Sequence, residues 1–255
     1  MKKLFDKIEI TSFALHILAM ALMLVDHLGF KVFINMDWMR SVGRLSFPIF
    51  AFLLVEGFYH TVDTPKFKTH VLRMLIFAII SEIPFNLFLA NNIWSIQNQN
   101  ILWLYLLGLV SLYGIHQLKK KGSPWNILSV FIIFAAAILA ELTYLDYGAC
   151  GLLTMIVFYF FHGRKWWQLL AQLVCVAYLN YMRGGSGYEI VLFNQTLTLG
   201  RQMWAVCILP ILWLYKGKQG HRSKFFKYFC YLFYPLHILI RYELEKEMIN
   251  GNIDF

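Results

Sequence analysis

The stretch Leu15-His-Ile-Leu-Ala-Met-Ala-Leu-Met-Leu-Val-Asp-His-Leu-Gly29 decides the fold class. With its flanks it forms an apolar run near 12–34, long enough for a helix of about 20 residues to cross a bilayer. Asp26 and His27 interrupt that run side by side. A titratable side chain at membrane depth costs at least about 3 kcal/mol unless it is paired or hydrated, and such residues mark functional sites by default.

Eight further apolar runs follow, near 41–60, 67–90, 100–118, 124–144, 147–162, 165–182, 199–215 and 226–243. They predict an all-α, polytopic transmembrane helix bundle of about nine spans, forming a single integral membrane domain over 1–255. The sixth run is short, and a polar turn around Asp146 joins it to the fifth. Composition agrees. The chain of 255 residues is 59% hydrophobic, 18% aromatic and only 15% charged, with a mean hydropathy of +0.58. A soluble domain carries about 25% charged residues, and no soluble domain of useful size fits beside nine spans.

The net charge of +9 has a topological explanation. Of the 23 basic residues, 15 fall in alternate loops: Lys2, Lys3 and Lys7; Lys66 and Lys68; Lys119–Lys121; Arg164 and Lys165; and Lys216, Lys218, Arg222, Lys224 and Lys227. The intervening loops hold few, among them Lys31, Arg40, Arg183 and Arg201. By the positive-inside rule the N-terminus is cytoplasmic and the C-terminus lies outside. No nucleic-acid motif accompanies the charge, so nucleic acid is not an expected partner. The four cysteines, Cys150, Cys175, Cys207 and Cys230, lie singly in apolar stretches without metal-binding spacing. No cleavable signal peptide is expected, because the first run is too long and lacks a small-residue cleavage site. Gly184-Gly185-Ser186-Gly187 reads as a flexible turn in an outer loop near 183–198, not as a dinucleotide fingerprint.

This orientation assigns a depth to each buried ionisable residue. Asp26, His27, Arg44, Glu82, Asp146 and His237 fall at a similar, outer depth from five places in the sequence. Carboxylates, an arginine and two imidazoles at one depth are what a hydrated, electrostatically organised pocket requires. Each also has a plain structural reading. His27 and His237 serve equally as satisfied core imidazoles, Arg44 as an interfacial anchor, Glu82 as a residue near Pro84, and Asp146 as a turn residue or helix cap. Tyr234, His237 and Arg241 share one helix face, at i, i+3 and i+7, with Pro235 to kink it. Nearer the cytoplasm, Glu56 and Arg73 on neighbouring spans are placed to form an ion pair, or to line an inner channel. Adjacent residues on a helix diverge by about 100°, so Asp26 is poorly placed to orient His27. Glu82 or Asp146 suits that role better, and Asp26 is placed to pair with Arg44.

These residues resemble a known family. The block Gly43-Arg-Leu-Ser-Phe-Pro-Ile-Phe-Ala-Phe-Leu-Leu-Val-Glu-Gly-Phe-Tyr-His-Thr61 carries most of the likeness. It is supported by Leu24-Val-Asp-His-Leu-Gly29, Arg73-Met-Leu-Ile-Phe-Ala-Ile-Ile-Ser-Glu-Ile-Pro-Phe85, Asp146-Tyr-Gly148 and Phe233-Tyr-Pro-Leu-His-Ile-Leu239. Together they resemble the TraX family, named for the conjugative pilin acetylation protein. More distantly the chain is similar to the multispanning acyltransferases of the acyltransferase-3 type. It departs from them where they carry an arginine early in the first span, since Leu15 and His16 stand in that region.

The resemblance implies a multi-pass protein of the bacterial cytoplasmic membrane, acting as an O- or N-acetyltransferase. Cytoplasmic acetyl-CoA is the implied donor, and a peptide (pilin N-terminus) or surface glycan the implied extracytoplasmic acceptor. No metal is implied. A histidine near its ordinary pKa suits general-base work at neutral pH. His27 is then the base or an acyl-accepting nucleophile, and Glu82 or Asp146 orients it. Arg44 stabilises developing negative charge, and His237 is a second acid/base or an oxyanion donor. Asp26 belongs with His27, Arg44, Glu82 and His237 to the catalytic set, Asp146, Glu56, Arg73 and Tyr234 form the substrate-binding set, and Lys119–Lys121 are placed to meet an anionic donor. Two other classes fit membrane-buried charges: a proton-coupled transporter, and a non-catalytic assembly partner of a surface-structure system. No inverted repeat or pair of broken spans supports the transporter.

Overall fold

A computed structural model describes residues 9–33, 35–184, 187–192, 195–221 and 223–249. The basic residues Lys2, Lys3, Lys7 and Arg222, and Gly185 and Ser186 of the expected turn, lie outside the described residues. In chain order the elements are α1 (Ser12–Lys31), α2 (Asp37–Gly43), α3 (Ser46–Thr61), α4 (Lys66–Ala90), α5 (Ile101–Lys121), α6 (Ser123–Leu142), α7 (Gly148–Phe160) and α8 (Trp166–Arg183). A hairpin, β1 (Gly187–Leu192) and β2 (Gln195–Gly200), precedes a 3-10 helix (Arg201–Ile208), α9 (Leu209–Leu212) and α10 (Lys224–Ile249).

Five apolar helical stretches are long enough to cross a membrane: Ser12–Phe30, Asp37–Thr61, Lys66–Ala90, Ile101–Lys121 and Ser123–Leu142. They coincide with the first five expected spans, and the chain is a predominantly helical membrane protein. The other four expected spans take weaker forms. Gly148–Phe160 has 13 residues, and Arg201–Leu212 is short and mostly 3-10. Helices α8 and α10 are long enough but more polar.

The segment expected as a glycine-rich turn contains the antiparallel hairpin, in register from Gly187 opposite Gly200 to Leu192 opposite Gln195. The alternation in Gln195-Thr-Leu-Thr-Leu-Gly200 is the period-two pattern of a strand. The neighbouring glycines mask this alternation in the sequence.

The described chain divides into two compact units, each drawn from two stretches of sequence: Met1–Leu53 with Phe161–Cys230, and Leu54–Phe160 with Tyr231–Phe255. In the first unit, Thr11 caps α1 by accepting from the Ala14 amide at 3.2 Å. The segment from Arg201 to Gln219 runs antiparallel to α1. Arg201 meets Asp37 at 2.9 Å beyond one end of α1. The amides of Ser12 and Phe13, at the other end, donate to the carbonyls of Lys218 and Gln219 at 2.9 and 3.0 Å. The 3-10 helix, rising about 2.0 Å per residue, lets a short segment cover most of the length of α1. Buried amides bind it to α8: Gln202 donates to Asn180 at 3.0 Å, and the Trp213 indole donates to Gln172 at 2.9 Å. Interhelical polar bonds of this kind join membrane helices that the hydrophobic effect does not pull together.

In the second unit, α4 to α7 follow one another as antiparallel neighbours. Gly122, at φ 99°, makes the tight turn from α5 to α6. Helix α10 lies parallel to α4: Tyr231 stacks on Phe77 at 4.8 Å between ring centroids, and Arg241 lies 5.3 Å over the ring of Phe88. The Thr61 end of α3 is knit by aromatic rings. Phe58 meets Tyr59, Phe67, His116 and Tyr159 edge-on, and Tyr59 donates to the Tyr159 carbonyl at 2.8 Å.

Candidate functional site

The first unit holds an ionic cluster. Asp26 is buried on α1, and α2 approaches it so closely that a Cβ at Gly43 would overlap its side chain. Gly29 gives α2 a similar approach, since a Cβ there would meet Met39. The cation that meets Asp26 most closely is Arg40. Its Nη1 lies 2.9 Å from Oδ1 and donates to the Asp26 carbonyl at 3.1 Å. Arg44, the partner expected from the sequence, stands at 3.9 Å. The reason is geometric: α2 is a separate turn of helix that ends at Gly43, and it brings Arg40 onto the α1 face. The guanidinium of Arg40 also covers the Phe30 ring at 4.6 Å. His27 is partly buried on the next position of α1. Above the cluster, Ser41 and Tyr188 of the hairpin share a 2.9 Å hydrogen bond.

The second unit holds a different kind of cluster. Glu82, partly buried on α4, receives two neutral donors on Oε2: the amide of Asn100 and, at 2.9 Å, the indole of Trp103. Its Oε1 is buried and accepts no hydrogen bond. Asn100 also caps α5 by accepting from the Leu102 amide at 3.0 Å, and it donates to the Ala78 carbonyl at 2.9 Å. Asp146 lies in the α6–α7 turn, whose backbone pairs with Gln99: the Asp146 amide donates to the Gln99 carbonyl at 3.1 Å. Tyr144 and Tyr147 on either side have left-handed backbones, at φ 53° and 65°. Bulky residues rarely adopt that region, and such strain concentrates at functional sites. Tyr234 of α10 lies within electrostatic reach of Asp146, Glu82 and Tyr147. Tyr105 lies within electrostatic reach of Tyr147, Asp146 and Tyr234. Two carboxylates and three buried phenols therefore share one end of this unit.

Tyr234, His237 and Arg241 do share a buried face, with Ile238 between them, while Leu236 and Ile240 face outward. His237 Nδ1 lies 2.7 Å from the Phe233 carbonyl. A ring donating from Nδ1 keeps its Nε2 lone pair as acceptor or base. Its plane stacks on Phe233 at 4.8 Å.

The expected Glu56–Arg73 ion pair is absent among the described residues. Arg73 is partly buried on α4, and Asp63 in the α3–α4 turn pairs with Lys120 and, at 3.4 Å, with His116. The Lys120 ammonium, with His116 assisting, holds the exposed Asp63 carboxyl below the usual carboxylate range. Lys119 lies 5.2 Å over the rings of both Tyr159 and Phe160.

Sequence reasoning passed over Arg40, Asn100, Trp103, Tyr105 and Tyr147. Arg40 looked like a loop charge. The spacing Asn100–Trp103, which opens a span beside a carboxylate on the preceding one, was a usable signal. Nothing in the sequence marks the left-handed tyrosines.

The family model of the TraX protein matches residues 12–245. The chain belongs to the TraX family. That match covers α1 through most of α10 and so includes both clusters. Among curated proteins, the chain is 27% identical to a probable fimbrial assembly protein, FimC of serogroup H1, from Dichelobacter nodosus, over 246 residues covering 91% of this chain and 95% of the relative. A shorter match, 34% identical over 76 residues, covers 30% of this chain and 29% of an uncharacterized protein of Rickettsia prowazekii. No solved structure matches.

Proposed function

We propose that this TraX-family chain is a multi-pass acyltransferase of the bacterial cytoplasmic membrane. It moves an acetyl group from cytoplasmic acetyl-CoA to an extracytoplasmic peptide or glycan acceptor. The observation that carries the reading is the second-unit cluster, in which Glu82 and Asp146 are gathered with three phenols in a chain matched almost end to end by a family named for pilin acetylation. The antiparallel run of 201–219 along α1, and the parallel run of α10 with α4, are compatible with the alternation of nine spans; the cytoplasmic N-terminus rests on the distribution of basic residues.

In this reading His27 accepts the proton of the acceptor N–H or O–H as that atom attacks the thioester carbonyl. The new C–N or C–O bond forms, the C–S bond breaks, and the CoA thiolate leaves. Within the second unit, Glu82 or Asp146 orients His237, whose Nε2 is an acid/base, and a phenol such as Tyr234 is a donor suited to an oxyanion, a role worth about 3 kcal/mol per donor in a dry site. Asp26, held by Arg40, fixes α1 against α2. Arg44, being more distant from Asp26, remains the cation for the thioester oxygen. The donor approaches the face bearing Lys119–Lys121, all exposed; Glu56 and Arg73 line its path.

The test is release of CoA from acetyl-CoA by purified protein, with an amine and a hydroxyl acceptor supplied in turn. Wild type releases CoA, and His27→Ala does not. A second reading, a non-catalytic assembly partner, draws on the printed name of the D. nodosus relative. It requires that His27→Ala leave surface-structure assembly intact.

A further inference from the structure

One groove in the second unit lies outside the roles given above. It has a volume of about 650 Å³ and runs between α5 and α6, lined by Ile96, Gln99, Trp103, Val110, Leu139 and Leu142 among others. That volume falls within the range of about 300–1,000 Å³ typical of small-molecule sites. Its rim is open: Ile96, Val110 and Leu142 are among the most exposed apolar side chains of the chain. In a bilayer such a groove faces hydrocarbon. A transmembrane helix is about 10–12 Å across and would fill this volume in fewer than two turns, so the groove suits an extended chain, not a helix.

Trp103 makes the groove more than a furrow between helices. It forms part of the groove wall, and its indole N–H donates to Glu82 Oε2. A molecule in the groove is therefore one indole ring from a carboxylate whose other oxygen, Oε1, is buried and accepts nothing. A buried acceptor left unsatisfied calls for a donor, from water or from a ligand. Both donors on Oε2 are neutral, and Oε1 calls for a further donor, which a hydroxyl or amine head group offers and an ionised phosphate head group does not.

We propose that this groove binds the alkyl chain of a membrane amphiphile whose head group carries a hydroxyl or amine directed at Glu82. The proposal deepens the acyl-transfer reading, on which it rests, by giving the acceptor an anchor in the lipid phase. A chain held between α5 and α6 places the head at the end where Glu82, Asp146 and Tyr234 gather.

The experiment is photolabelling of the full chain in nanodiscs with a diazirine-bearing dodecylamine, followed by peptide mapping. No acetyl-CoA is added, so the outcome is independent of turnover. The proposal expects saturable labelling concentrated at 96–110 and 139–145. Filling the groove with Val110→Trp, or with Leu142→Trp at its rim, lowers that labelling about tenfold. Both positions are exposed and admit a larger ring, and either variant that stays folded decides the matter. Dodecyl phosphate carrying the same diazirine labels the groove about tenfold less. Labelling spread along the lipid face of α6 at Ile127, Phe131, Phe134 and Ile138, unchanged by either tryptophan, means an adventitious lipid contact only and overturns the site. Equal labelling by the two head groups overturns the assignment to Glu82. If labelling behaves as expected but no CoA is ever released, the groove stands and the acyl-transfer reading falls.

Discussion

Asp26 and Glu82 are both carboxylates in apolar helices, yet the two units treat them differently. Asp26 is neutralised by Arg40 at 2.9 Å, with Arg44 at 3.9 Å. Glu82 is held by two neutral donors on one oxygen, and its other oxygen accepts nothing. A neutralised pair fixes helices together, and breaking it leaves a buried charge exposed to hydrocarbon. A carboxylate held by neutral donors on one oxygen keeps its other oxygen as an acceptor for chemistry. The comparison separates a residue that maintains geometry from one suited to act.

That separation can be broken by substitution. The largest effect is expected at Glu82. Glu82→Gln should lower CoA release by about 10²-fold or more, while the melting temperature in detergent stays near wild type, because an amide still accepts from Asn100 and Trp103. Asp26→Asn should behave oppositely. It leaves Arg40 without its counter-charge and should cost about 3 kcal/mol of stability, read as a lower melting temperature with activity lost only as the protein unfolds. Gly43→Ala tests the same contact by shape, since its Cβ overlaps Asp26. Overpacking of this kind costs about 1–3 kcal/mol, and Gly43→Ala should cost about as much on the Asp26→Asn background, because asparagine keeps the Cα, Cβ and Cγ that the new Cβ meets.

The smallest effect is expected at the exposed pair of Asp63 and Lys120. The folded carboxyl is held below its ordinary range by Lys120. Its contribution to stability is therefore present above the unfolded carboxylate pKa and is lost as pH falls through the lower, folded value. Asp63→Asn should be slightly less stable than wild type at neutral pH, and the difference should vanish in acid. Thermal melts across pH would show this, and a difference that grew on acidification would contradict it.

Much of this arrangement could be read from the sequence because lipid imposes simple rules. Apolar length located α1 to α6, and the spacing of Tyr234, His237 and Arg241 identified the buried face of α10. Asp26, His27, Glu82 and Asp146 stood out because charge is costly in hydrocarbon. The partners were harder to see. Arg40 sits on a short helix set off by a break at Arg44 and Leu45, and no propensity signals which way that helix turns. Tyr105 and Tyr147 resemble ordinary aromatic filler until the strained α6–α7 turn brings them to Asp146. The 3-10 helix escaped notice because its hydrophobic period over so few residues does not differ from that of a short α-helix.

The most direct measurement is CoA release by wild type, Glu82→Gln and Asp26→Asn in nanodiscs, with a melting curve recorded for each. Turnover is expected in wild type with an amine or hydroxyl acceptor, with a folded but inactive Glu82→Gln and an unstable Asp26→Asn. Wild-type protein that releases CoA no faster than protein-free nanodiscs with either acceptor, or a Glu82→Gln variant as active as wild type, would contradict it.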